Sequence, residues 1–92
     1  MFFVYILRSS DNPKKTYVGF TTDLEVRLRE HNSGRNPFTA KFLPWDLEAY
    51  VACRSRKTAI SLEKYFKSGS GAAFWKKRLL EQVPDGPPKP SA

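Results

Sequence analysis

Two short runs of β-branched and aromatic residues open the chain, with seven turn-forming residues between them. Phe2-Phe3-Val4-Tyr5-Ile6-Leu7 is the first and Thr16-Tyr17-Val18-Gly19-Phe20-Thr21 the second. Such runs suit a pleated, half-buried surface. The intervening Ser-Ser-Asp-Asn-Pro-Lys-Lys cluster predicts a turn, so the pair reads as an antiparallel hairpin with a longish loop. A hairpin alone cannot hide its apolar face, so the rest of the chain must cover it. Thr22-x-x-Glu25 fits a capping box and predicts a helix from Thr22 to about Asn32, with Gly34 at its end. Residues 35–44, with Pro37 and Pro44, read as a loop, and residues 45–53 as a third strand with partial alternation. Residues 55–67 predict a second helix ended by Gly69 and Gly71, and residues 72–82 a shorter third helix. The expected fold is α+β: a small three-stranded antiparallel-type sheet flanked by helices, in the order β-β-α-β-α-α. Residues 1–82 form one domain, and the Pro-rich tail 83–92 is expected to be disordered.

At 92 residues the chain has room for one thin core, which its seven Phe, four Tyr and two Trp help to fill. No apolar run approaches the roughly 20 residues that cross a bilayer. The apolar start is soon broken by Arg8, Asp11 and Lys14, unlike a signal peptide. A single cysteine, Cys53, cannot form an internal disulfide and is expected to pack as a small apolar residue. A reducing, cytoplasmic setting follows as the default. One Cys and one His are too few for a zinc site. The net charge of +7 is concentrated: residues 54–78 hold Arg54, Arg56, Lys57, Lys64, Lys67, Lys76, Lys77 and Arg78 against Glu63 alone, and the remainder balances to zero. Clustered cations favour a polyanion partner through counterion release. The alternative is a solvated helical face.

Three polar side chains interrupt apolar helical stripes. Positions 24, 27, 28 and 31 share one face of the first helix, which puts Arg27 and His31 among Leu24 and Leu28. Positions 59, 62, 63 and 66 share a face of the second, which puts Glu63 beside Ala59, Leu62 and Phe66. A buried unpaired charge is costly, so each needs a partner, a ligand or a cleft open to water. Local solutions exist. Arg27 can snorkel to solvent, Glu63 can pair with Lys67 one turn on, and a charged His31 can meet the negative end of its helix. Tyr5 and Tyr17 are ordinary strand residues when taken singly. If both tyrosines face the helices, however, the phenols, Arg27 and Glu63 converge in one cleft.

These residues, in this order, resemble the GIY-YIG nucleases. Val4-Tyr5-Ile6 is a degenerate first half-motif and Tyr17-Val18-Gly19 a close second one. The helix from Asp23 to Asn32 is similar to the family's Leu-x-x-Arg-Leu-x-x-His-Asn stretch. Ala59 to Lys67 resembles its glutamate helix, and Ser68-Gly69-Ser70-Gly71 with Phe74 resembles the small stand-alone bacterial members. The resemblance covers about residues 2–80. It implies hydrolysis of DNA phosphodiesters with one divalent ion, Mg²⁺ or Mn²⁺. By position, Tyr17 would be the general base or its assistant, and Tyr5 would orient the attacking water. Gly19 would allow close approach of strand and helix. Arg27 would hold the scissile phosphate, His31 would share proton transfer, and Glu63 would bind the metal. The chain departs from the pattern in three places. Phe3 or Val4 replaces the first glycine, Phe20 follows Gly19 where some members have lysine, and no asparagine lies beyond Asn36. Ser68 or Ser70 is the nearest substitute for that late asparagine.

The implied chemistry suits these residue types. Tyrosine is a poor base at its usual pKa of about 10, so a neighbouring cation must assist it. An arginine fork binds phosphate oxygens bidentately, and Mg²⁺ needs only one or two carboxylates because it keeps its waters. The basic segment 54–78 would neutralise DNA phosphates, and with no base-reading motif evident, recognition of DNA shape is expected. Trp75, Phe74 and Trp45 are candidates for base stacking, with core packing as the alternative. So small a surface for target choice suggests a homodimer or a partner protein. The competing function is a catalytically weak or inactive nucleic-acid-binding module on the same fold.

Overall fold

A computed structural model describes residues 1–81. Its elements are β1 (Phe2–Ser9), β2 (Thr16–Thr21), α1 (Leu24–Asn32), a single 3₁₀ turn (Ala40–Phe42), β3 (Trp45–Cys53), α2 (Arg56–Phe66) and α3 (Gly69–Arg78). The strands form one antiparallel sheet in the order β2-β1-β3, so the expected α+β topology holds. Gln82 and the Pro-rich tail 83–92 lie outside the described residues. Among the described residues no helix is long and apolar enough to cross a membrane.

β1 is the central strand and is buried on both faces from Val4 to Leu7. Its alternation feeds two cores. Val4 and Ile6 join Val18, Cys53, Ala59, Phe66, Trp75 and Leu80 on the side covered by α2 and α3. Tyr5 and Leu7 join Trp45, with Tyr17, Leu24 and Leu28 packed against them, on the side covered by α1. Each large apolar side chain so buried stabilises the fold by about 1.5–3 kcal/mol. β3 serves both cores because its register shifts between Ile6, opposite Ala49, and Leu7, opposite Leu47. The extra residue, Glu48, reverses the alternation, so Ala49 and Cys53 reach one core and Trp45 and Leu47 the other. Arg8 pairs with Glu48 at this bulge, 3.2 Å away.

α2 begins where expected, capped by Ser55, whereas α1 and α3 begin at other residues. α1 is capped by Asp23, whose carboxylate accepts from the Val26 amide at 3.1 Å, rather than by Thr22. The preceding Thr21 hydroxyl accepts from the Asp23 amide at 3.1 Å and sets up that cap. Gly69 and Gly71 do not end α2. They form the first turn of α3, because Ser68 caps that helix by accepting from the Gly71 amide at 3.2 Å. A side chain at Gly71 would run into the Tyr65 carbonyl, so the glycine permits the tight elbow between α2 and α3. Each Ser or Asp cap stabilises its helix by about 1 kcal/mol. α3 stops at Arg78, short of residue 82.

Candidate active site

The β1–β2 register places Tyr5 opposite Gly19 and Leu7 opposite Tyr17, so the two tyrosines are diagonal neighbours on the α1 face. Their ring centroids lie 6.4 Å apart. A Cβ at Gly19 would strike the Tyr5 phenol. The glycine therefore makes room for that ring to cross β2, and this is the close approach it serves. Once across, the phenol meets two side chains of α1. Arg27 Nε donates to Tyr5 Oη at 3.2 Å, and His31 Nε2 lies 2.9 Å from the same oxygen. The His31 ring also sits 4.8 Å from the Tyr17 ring. Arg27, Leu28 and His31 thus share a face as their spacing implied, but Arg27 neither snorkels freely nor lies unpaired. Its Nη1 donates to Glu30 Oε2 at 2.7 Å, and among the described residues nothing holds its other terminal nitrogen.

His31 does not cap its helix. It is 1% exposed, and its Nδ1 lies 3.0 Å from the hydroxyl of Thr39, which is fully buried. The Thr39 carbonyl accepts from the Trp45 indole at 2.7 Å. The Asn32 side chain in turn clasps Trp45, accepting from its amide at 2.7 Å and donating to its carbonyl at 2.9 Å. The hydroxyl of Thr39 can rotate, so it can accept from a protonated Nδ1 or donate to a bare one. It therefore supports either tautomer of His31 while the Nε2–phenol contact is kept.

The electrostatics divide the cluster into fixed roles. Burial pushes the Tyr5 phenol up to about 12 against the pull of Arg27, and Tyr17 and the Glu63 carboxylate add to the rise. Burial, then the Arg27 charge, hold His31 below the usual imidazole range, with Glu30 opposing. Hydrogen bonds to Glu30 and Tyr5 keep Arg27 firmly protonated. At neutral pH the site holds a protonated Tyr5, a neutral His31 and a charged Arg27.

Glu63 comes from the other layer. The tyrosines and α2 lie on opposite faces of the sheet, not on one shared face, because β1 is buried on both sides and each side needs its own helix. Its charge still adds to the rise of the Tyr5 phenol, as the smallest of the contributions. It pairs with Lys67 Nζ at 3.2 Å, one turn on. Lys67 lines a cleft of about 450 Å³ together with Tyr17, Phe38, Phe66 and Trp75. Arg27 and His31 line a second cleft of about 320 Å³ with Glu30, Arg35 and Asn36.

Among the described residues no group of three His, Cys, Asp or Glu gathers as a metal cage. One partly covered carboxylate is nevertheless a fitting donor for a hard, mostly hydrated divalent ion, once Lys67 gives way.

Of the expected nucleic-acid contacts, Arg54, Arg56, Lys57, Lys64, Lys67, Lys76, Lys77 and Arg78 are all exposed, on and beside α2 and α3. Lys67 is the one that also borders Tyr17. Trp45 and Trp75 are buried, with their indoles bonded to the Thr39 and Phe66 carbonyls, so they are core and not stacking surfaces. Phe74 is exposed. The Ser68 hydroxyl is committed to the α3 cap and to the Tyr65 carbonyl, 2.6 Å away. Three residues had no signal in the sequence: Thr39, Phe38 and Arg35 lie in an irregular loop where no periodicity marks a face. The one available hint was local, since Asn36-Pro37 marks a turn that returns the chain towards His31.

Over residues 1–78 the chain matches the family model described as the GIY-YIG catalytic domain. The chain belongs to the GIY-YIG family. Its relatives include UPF0213 protein YsiG of Lactococcus lactis subsp. lactis (strain IL1403), 46% identical over 67 residues, which are 72% of this chain and 62% of that protein. A UPF0213 protein of Lactococcus lactis subsp. cremoris (strain SK11) is 42% identical over 71% of this chain and 65% of its own length. One from Streptococcus pyogenes serotype M5 (strain Manfredo) is 39% identical over 71% of this chain and 70% of its own. The chain thus spans less than two thirds of the Lactococcus relatives.

Proposed function

We propose that the protein is a metal-dependent endonuclease that hydrolyses DNA phosphodiester bonds, selecting DNA by shape rather than by sequence. The observation that carries this reading is the Tyr5 phenol held between Arg27 and His31, with the Tyr17 ring against the same imidazole. Arg27 stays charged and offers a phosphate its uncommitted edge, backed by Arg35 across the same cleft. Tyr5 keeps its proton and so serves as a donor that orients water or a phosphate oxygen, which leaves Tyr17 as the base, acting as a phenolate once its own proton has left to solvent. His31, neutral and anchored by Thr39, can carry its proton on Nε2 and donate it to the Tyr5 oxygen, which leaves the phenol proton free for that contact. Glu63 would hold the Mg²⁺ or Mn²⁺ ion, which when bound offsets charge on the phosphate and the leaving oxygen. The cations of α2 and α3 would grip the backbone on either side.

The test is cleavage of branched and nicked DNA with Mg²⁺ or Mn²⁺ by the wild type and by Glu63→Ala, Arg27→Ala and Tyr17→Phe. Each substitution should lower the rate by at least about 100-fold, as loss of a positioned catalytic group does. Activity that survives all three removes the assignment. One observation favours the rival reading of a binding module: Lys67 already neutralises the carboxylate that a metal needs. That reading predicts salt-sensitive DNA binding with no metal-dependent cutting.

A further inference from the structure

Phe38 is 64% exposed, yet its backbone is held on both sides. The Asn36 side chain accepts from the Phe38 amide at 2.9 Å and from the Thr39 amide at 3.3 Å. The Ala40 amide donates to the Asn36 carbonyl at 2.9 Å. The next residue, Thr39, is pinned through its hydroxyl to His31 and through its carbonyl to Trp45. The ring is therefore displayed by a braced turn. It faces Tyr17, with centroids 6.0 Å apart and planes at 51°. The two rings form one wall of the cleft of about 450 Å³, whose floor includes Phe66 and Trp75. Lys67 is the single charged residue among those lining it.

An aromatic wall, an apolar floor and one cation suit a flat, π-bearing group attached to an anionic backbone. Tyr17 connects this cleft to the catalytic cluster, since its ring also packs on His31. A phosphate held by Arg27 beside Tyr17 would direct the neighbouring nucleotide over Phe38. A base inside a duplex already has both faces stacked and cannot enter. We propose that Phe38, Tyr17 and Lys67 form a subsite for an unpaired nucleobase next to the scissile phosphate. The substrate class is accordingly nucleic acid with an unpaired nucleotide at the cut, such as a flap, a gap or a single strand. The inference rests on the nuclease reading for the position of the phosphate. Because its aromatic rings offer a π-face on which every base can stack, the subsite tolerates any base.

The experiment measures binding without metal, in chelator, so that its outcome does not depend on cutting. The full chain and its Phe38→Ala and Phe38→Trp variants are titrated by fluorescence anisotropy. The ligands are a flap junction, the same junction with an abasic residue at each of its first unpaired positions in turn, and a fully paired duplex. Phe38→Ala and one abasic position should each weaken binding by about ten-fold or more, and together by no more than either alone. Phe38→Trp should retain affinity, and duplex binding should not change. Equal losses from Phe38→Ala on intact and abasic junctions, or no loss, overturn the proposal. So does a loss on duplex, or sedimentation showing that Phe38→Ala splits a dimer, which would make the ring a protein contact. Coupling found without any later cleavage keeps the subsite and removes the nuclease. Cleavage that needs Tyr17, without coupling, does the reverse.

Discussion

Replacing Gly19 with alanine would place a methyl group where the Tyr5 phenol now lies. Neither partner can yield cheaply. Gly19 is in a strand paired with β1, and Tyr5 is 1% exposed in the central strand. Forcing an extra carbon into such a site costs about 1–3 kcal/mol. Turning the ring away also breaks the contacts of its oxygen with Arg27 and His31, for about 1–3 kcal/mol more. The total of about 2–6 kcal/mol is a large share of a small domain's stability. At about 4–8 °C per kcal/mol, even the low end corresponds to a fall in thermal midpoint of roughly 8–16 °C. Differential scanning calorimetry of Gly19→Ala measures this directly. Tyr5→Leu removes the ring that clashes, so the double variant should lose clearly less than the sum of the two single losses. A Gly19→Ala midpoint within about 2 °C of wild type, or full additivity, would refute the packing of Tyr5 across β2.

Three further outcomes follow from the same geometry. His31 binds its proton less readily folded than unfolded, so as pH falls below about 6.5 the unfolded state gains the proton first and stability declines; His31→Gln should flatten the fall in thermal midpoint between pH 7 and 5. Tyr5, with its pKa pushed up to about 12, stabilises the fold below pH about 10 and loses that contribution as pH rises through 12; an ultraviolet titration should show a late-ionising tyrosine that Tyr5→Phe abolishes. Lys67→Gln frees the Glu63 carboxylate, and Mn²⁺ binding to the free protein, followed by paramagnetic resonance, should tighten by about 1.4- to 2.3-fold, the equivalent of an exposed i,i+4 pair; weaker binding would count against Glu63 as the ligand.

The strands, their order and the tyrosine face were legible because alternation and turn residues report local structure. Val4, Ile6 and Val18 point one way and Tyr5 and Tyr17 the other, so the period of two already spells out both faces. Arg27 and His31 were visible as polar intrusions in an apolar stripe. What was hidden depended on three-dimensional partners. Whether Ser68 or Gly71 governs the turn between α2 and α3 is decided by which hydroxyl finds an amide. Thr22 and Asp23 are both good caps, and the Thr21 hydroxyl chose between them. Glu63 comes from the helix layer on the face opposite the tyrosines, which no pattern along the chain reveals. Thr39 and Phe38 matter through His31 and Tyr17, far from them in pattern though close in space.

The proposed chemistry requires Glu63, on the far helix layer, to serve the same phosphate as Arg27 and Tyr17. A crystal of the full chain soaked with Mn²⁺ and a short oligonucleotide tests this most directly. Anomalous signal at the Glu63 carboxylate, with one phosphate bridging the ion to the Arg27 guanidinium beside Tyr17, is the predicted result. An ion bound away from Glu63, or a phosphate that touches Arg27 and never reaches the ion, would contradict it.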